Sequence, residues 1–144
     1  MRISSIEAIP VAYPEPNDFN TERHLCLVRM QADDGQVGWG EAITQWPEAS
    51  RAAQAIVDGL APLLIGQDPV HSDVLWRTMK EHTWWYGNGP IASFAIAALD
   101  IAMWDLVATP IEPVDGWMEP PQGVGLGIQV LEEVVNHYRL DRPA

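Results

Sequence analysis

Cysteine is almost missing from this sequence. Cys26 is the one cysteine among 144 residues, so no disulfide forms within the chain, and a reducing compartment, the cytoplasm, is the natural expectation. It lies in the apolar run Leu25-Cys26-Leu27-Val28, which reads as a buried, inert thiol rather than a nucleophile. Basic residues are scarce as well: 8 Lys and Arg stand against 20 Asp and Glu, a net charge of −12. Nucleic acid and anionic membrane surfaces both need clustered cations, so neither is expected as a partner. No apolar run reaches the roughly 18 uninterrupted residues of a membrane span. No apolar leader segment follows Met1-Arg2-Ile3-Ser4-Ser5, and none is expected.

What remains is a globular composition, 47% apolar and 19% charged, at a length that suits one domain with one core. Seven Trp in so short a chain point to large aromatic anchors at a core or an interface. Residues 2–13 alternate loosely and read as a strand. The turn formers Pro14-Glu15-Pro16-Asn17-Asp18-Phe19-Asn20 end it. A second strand covers 22–32, with Leu25, Leu27 and Arg29 opposite Cys26, Val28 and Met30. Asp33-Asp34-Gly35 is a hairpin signal, and 36–43 forms the returning strand.

The period then turns helical. Pro47-Glu48 suits a first helical turn, and Ala49, Ala52, Ala53, Ile56, Val57, Leu60, Leu63 and Leu64 make a stripe that Gly66 ends. Asp68-Pro69 opens a second helix with Val70, Val74, Leu75 and Met79 on its apolar side, running into Trp84-Trp85-Tyr86 and stopping at Gly87-Asn88-Gly89. The third helix, 90–107, is apolar nearly all round. Such a helix needs cover on every side, which is hard to arrange in a domain this small, so one side is expected to face a partner. Beyond Ala108, residues 109–127 read as an ordered loop, followed by an extended end at 128–130 and a short helix, 131–138, docking by Leu131, Val134, Val135 and Tyr138.

Three segments carry a resemblance: Val37-Gly38-Trp39-Gly40-Glu41-Ala42, Leu60-Ala61-Pro62-Leu63-Leu64-Ile65-Gly66-Gln67-Asp68-Pro69, and Ala97-Ala98-Leu99-Asp100-Ile101-Ala102-Met103-Trp104-Asp105-Leu106. In this order and spacing they resemble the mandelate racemase/muconate lactonizing branch of the enolase superfamily. The fold class so implied is α+β: a three-stranded antiparallel sheet followed by a three-helix bundle, with a C-terminal tail packed on it. Residues 1–108 look like the N-terminal part of that family's capping domain. Residues 109–144 look like its C-terminal tail, through Glu119-Pro120-Pro121-Gln122-Gly123-Val124-Gly125-Leu126-Gly127-Ile128. Family members carry a (β/α)-barrel between these two parts, and a barrel alone takes about 250 residues. The resemblance therefore implies a single capping domain with the barrel excised.

The family's chemistry, so far as resemblance carries it, is proton abstraction beside a carboxylate, with Mg2+ stabilising the enediolate. The metal sits on barrel-strand carboxylates, and a lysine pair two residues apart is a frequent base. This chain has one lysine, Lys80, so no such pair exists in it. No catalytic residue, metal ligand or cofactor is expected in this chain, and no turnover by it alone. Asp18-Phe19-Asn20 matches a metal pattern by letters only. His24, His71, His82 and His137 lack ligand spacing, and Gly123, Gly125 and Gly127 make no phosphate loop. Asp100 and Asp105 are expected in structural hydrogen bonds or ion pairs, for example with Arg29 or Arg51, since unpaired buried charge is costly. By resemblance, two cap loops contact the substrate's distal end: Asn17, Phe19, Asn20 and Thr21 from the first, Trp46 from the second. The alternatives are an interaction module anchored by Trp84, Trp85 and Trp117, or an enzyme half needing a barrel in trans. The partner expected through the apolar face of helix 90–107 is a barrel or a second copy.

Overall fold

The structure is a computed structural model that describes residues 1–15, 22–86, 89–107, 112–114, 117–119 and 130–141. Three antiparallel strands in the order β1-β2-β3 come first: β1 (Ile3–Pro14), β2 (Glu22–Ala32) and β3 (Val37–Ala42). Gly35 takes a φ of 88° in the β2–β3 turn, a conformation that costs glycine nothing. Alternation places Cys26, Val28 and Met30 on the inner, helix-covered face, and the expected α+β architecture is what forms. Leu25 and Leu27 point to the outer face, where they join Ile9, Val11, Tyr13 and Trp39.

Helix α1 (Pro47–Leu64) starts with proline at its first position and buries Ala53, Val57, Leu60 and Leu64. Gly66, at φ 82°, follows its end. There the chain is stitched to the sheet: the Gly66 N–H donates to the Ile3 carbonyl at 2.8 Å, and the Ile3 N–H donates to the Gln67 carbonyl at 2.9 Å. The second helix differs from its expectation at both ends. Pro69–His71 is a 3-10 turn capped by the Asp68 side chain, and α2 (Ser72–His82) starts only after it. Trp84–Tyr86 is another 3-10 turn rather than a continuation of the helix. Leu75 and Met79 are buried, while Val70, in the 3-10 turn, and Val74, one position before Leu75 on α2, are exposed.

Helix α3 (Pro90–Val107) packs against β2, β3, α1 and α2. Its approach to β3 depends on two glycines. A Cβ on Gly38 would collide with the Ala102 carbonyl oxygen, and one on Gly40 with that of Ala98. Facing them, Ala95, Ala98 and Ala102 keep the helix side of the contact small. Its 18 residues are long and apolar enough to cross a bilayer by composition alone, but eight of them are buried in this domain's core.

Residues read as loop contain a short hairpin instead, β4 (Glu112–Val114) paired with β5 (Trp117–Glu119). Two proline- and glycine-rich flanks hid strands only three residues long. The final helix, α4 (Glu132–Tyr138), lies against the outer sheet face. Val135 and Tyr138 pack there, whereas Leu131 is exposed. Beyond it Arg139 bridges to Val11, and the Leu140 N–H donates to the Pro10 carbonyl at 2.9 Å.

Candidate functional site

The two loops expected to meet a substrate leave the same end of the sheet. Pro14 pairs with Glu22 and Ala12 with His24, so the first loop springs from the tip of the β1–β2 hairpin. Its stem is closed by Arg23, whose Nε donates to Glu15 Oε1 at 2.8 Å; this bond raises the guanidinium pKa further. The second loop follows β3, which pairs there with the start of β2. The Thr44 hydroxyl donates to the His24 carbonyl at 2.7 Å, and the Ser50 hydroxyl donates to that of Leu25 at 2.7 Å. These two bonds fasten residues 44–50 to the strand that ends the first loop.

Trp46 precedes α1 in extended backbone, and its carbonyl accepts from the Ala49 and Ser50 N–H groups. The residue is 59% exposed. Asn17, Phe19, Asn20 and Thr21 lie outside the described residues, as do the 108–109 junction and most of the 119–128 stretch. His24, which shows no ligand spacing in the sequence, holds its Nδ1 buried with no hydrogen-bond partner among the described residues. No spacing signal marks it, because its place beneath the loop stems comes from strand pairing.

Among the described residues, no three His, Cys, Asp or Glu side chains come together as a metal site. Mg2+ needs several oxygen ligands in near-octahedral array, so the described part of this chain does not fit that ion. Burial pushes the Cys26 thiol up to about 12, which keeps it protonated and inert. Asp105 takes a structural role through the backbone: its Oδ2 accepts the Trp39 N–H at 2.8 Å, on the free edge of β3. Arg29, one expected partner, pairs with Glu132 of α4 at 3.1 Å. Asp100 is half-buried, and desolvation raises its pKa above the usual carboxylate range.

This sheet, the helix laid on its two glycines and the loop stems at one end define the N-terminal domain of an enolase-superfamily enzyme. The family model for the mandelate racemase/muconate lactonizing enzyme N-terminal domain matches residues 12–112, and the chain belongs to that family. The D-galactonate dehydratase of Verminephrobacter eiseniae (strain EF01-2) is 40% identical over 80 residues, covering 56% of this chain and 20% of the relative. A magnesium-complexed mandelate racemase/muconate lactonizing protein from Paracoccus denitrificans PD1222 superimposes with a TM-score of 0.61 at 37% identity, covering 73% of this chain and 26% of the other. The 3,6-anhydro-D-galactonate cycloisomerase from Zobellia galactanivorans does so with a TM-score of 0.62 at 28% identity, covering 73% and 28%. The chain thus corresponds to one domain of multi-domain enzymes and spans less than a third of each of these three.

Proposed function

We propose that this chain is the substrate-capping, specificity-setting domain of a Mg2+-dependent acid-sugar dehydratase, racemase or cycloisomerase, and that it is not catalytic by itself. The observation that carries the reading is the outer stripe of α3. Ala97, Ile101 and Trp104 recur at helical spacing, and Ile101 and Trp104 remain 44% and 55% exposed. A solvent-facing row of this kind on a helix that is otherwise core marks a surface made to be covered. The relatives carry most of their length outside this domain, and the barrel is the element that would lie there. The C-terminal residues support one domain made of two chain ends, since 130–141 complete the outer sheet face against β1. In an intact enzyme Trp46 and Phe19 would supply apolar substrate contacts, and Asn17, Asn20 and Thr21 polar ones. The lone lysine, Lys80, stands over the Trp76 ring on α2, in no position to serve as the family's base.

Purified chain incubated with Mg2+ and D-galactonate is expected to give no turnover; measurable dehydration would overturn the non-catalytic reading. Sedimentation velocity tests the uncovered stripe. Concentration-dependent self-association that disappears in Ile101→Glu is expected, while a strict monomer that binds no hydrophobic dye would refute it.

Trp84 and Trp85, 70% and 80% exposed and packed edge to face, favour the interaction-module reading as a second choice. A single specific partner captured through these two rings, and lost on their replacement by Ala, would decide for it.

A further inference from the structure

The sheet has two edges, and the chain treats them differently. Along β1 the chain itself supplies partners. Ile3 exchanges backbone bonds with Gly66 and Gln67, the Gln54 side-chain amide donates to the Ala8 carbonyl at 3.4 Å, and the Leu140 N–H donates to the Pro10 carbonyl. Along β3 the described residues supply one outward bond, from the Trp39 N–H to Asp105 Oδ2 at 2.8 Å. Because Trp39 turns its N–H away from β2, Val37 and Glu41, two positions to either side, turn theirs outward too. The close seat of α3 brings Asp105 to this rim. Ala102 and Leu106 crowd Gly38 on the inner face, and the half-buried Asp105, between them in sequence, reaches round to the strand edge.

The strand does little to protect its own edge. Its six residues, Val37–Ala42, include no proline or lysine, and Gly38 and Gly40 add no side chains. Set against itself in antiparallel sense, β3 brings Trp39 opposite Trp39 and Val37 opposite Glu41, so no like charges face each other. The central pair of such a ladder needs both Trp39 N–H groups. We infer that Asp105 is an edge guard: by occupying the Trp39 N–H, its carboxylate keeps β3 from pairing with β3 of a second copy of this chain. A carbonyl arriving from the copy has to displace a charge-assisted bond before it can form its own. The guard is independent of whatever covers α3, because strand pairing uses the rim of the sheet and the α3 stripe is a helix face.

The test uses the whole chain and reads strand pairing directly, as the infrared amide I band of intermolecular antiparallel sheet followed against protein concentration. In Asp105→Ala this band is expected at concentrations about 10-fold lower than in the unmodified chain, because two Trp39 donors are freed per pair. Adding Val37→Pro, which removes an outward N–H at the first residue of β3 and none that β2 uses, should abolish it. Amide exchange in the unmodified chain gives a second reading that needs no variant to fold. There the Trp39 N–H should exchange about 10-fold or more slower than those of Val37 and Glu41 on the same edge. Equal exchange at the three amides, no gain of the band in Asp105→Ala, or a band that survives Val37→Pro would each overturn the guard. Association through the α3 stripe alters sedimentation without producing this band, so the two ideas fail separately.

Discussion

On the inner face of the sheet, Gly38 and Gly40 let α3 lie against β3 with no side chain between, and the residues around them are fully buried. On the outer face, α4 covers Ile9, Val11 and Leu25 with no fully buried residue of its own. It is held by Tyr138 set edge-on against Tyr13, by Arg29–Glu132, and by Arg139 bound to Glu7 and Asp141. One face depends on steric fit, which has no slack. The other depends on half-exposed rings and ion pairs, which salt and solvent weaken. The same sheet therefore carries one cooperative core and one separable cover.

Breaking the inner face should cost most. Gly40→Ala drives a methyl into the Ala98 carbonyl and forces α3 off the sheet. A loss of about 3 kcal/mol or more, or failure to fold, is expected in urea denaturation followed by far-ultraviolet circular dichroism. Leu99→Ala, which hollows the fully buried side of α3, should lower stability by about 2–5 kcal/mol. An unchanged urea midpoint for either variant would place the core elsewhere.

Arg139→Ala should act on the outer face alone. It removes the pairs with Glu7 and Asp141 but leaves the backbone bridge at Val11. About 1 kcal/mol or less is expected globally, together with faster amide exchange confined to α4. Raising the salt concentration should reproduce this exchange in the unmodified chain. If exchange accelerated equally in α3, the two faces would not be independent.

The smallest effect concerns Cys26 on the inner face. Its folded pKa of about 12 lies above the unfolded value of 9.0. Between these two pH values the unfolded thiol loses its proton while the folded one keeps it, so this group's contribution to stability declines as pH rises through that window and is fully present below it. At pH 8 a thiol reagent should react with native protein far more slowly than with urea-unfolded protein. Equal rates would mean that the inner face opens readily.

Much of this contrast was legible in the residues. Alternation in 22–32 separated the two faces, and the near-total apolarity of 90–107 announced a helix covered on most sides. The Val-Gly-Trp-Gly run suggested a strand, but which atoms its glycines admit depends on α3, some sixty residues further on. Val70 was misplaced because it lies in a 3-10 turn, which leaves no compositional mark, and Val74 because it sits five residues from Met79, off the buried face of α2. The β4–β5 hairpin was missed since two three-residue strands show too few alternations to register a period of two. For the candidate site, Trp46 came from resemblance alone, and the structure adds that its side chain is exposed at the start of α1. The burial of the His24 ring nitrogen was not legible, because it is a product of pairing across strands rather than of neighbours in the chain.

The stitch between Ile3 and the turn after α1, together with the late place of α3 in the chain, has a consequence for synthesis. Helix α1 can cover β1 and β2 once the chain reaches Leu64, but β3 packs on α3, which is complete only at Val107. At roughly 5–20 residues per second, the β3 side of the sheet stays uncovered for several seconds. The free edge of β3 stays open over the same interval, since Asp105, which takes up the Trp39 N–H, lies near the end of α3. Premature strand pairing with another chain is the hazard this order creates. The domain is thus most vulnerable during its own birth, before its central helix α3 has been made.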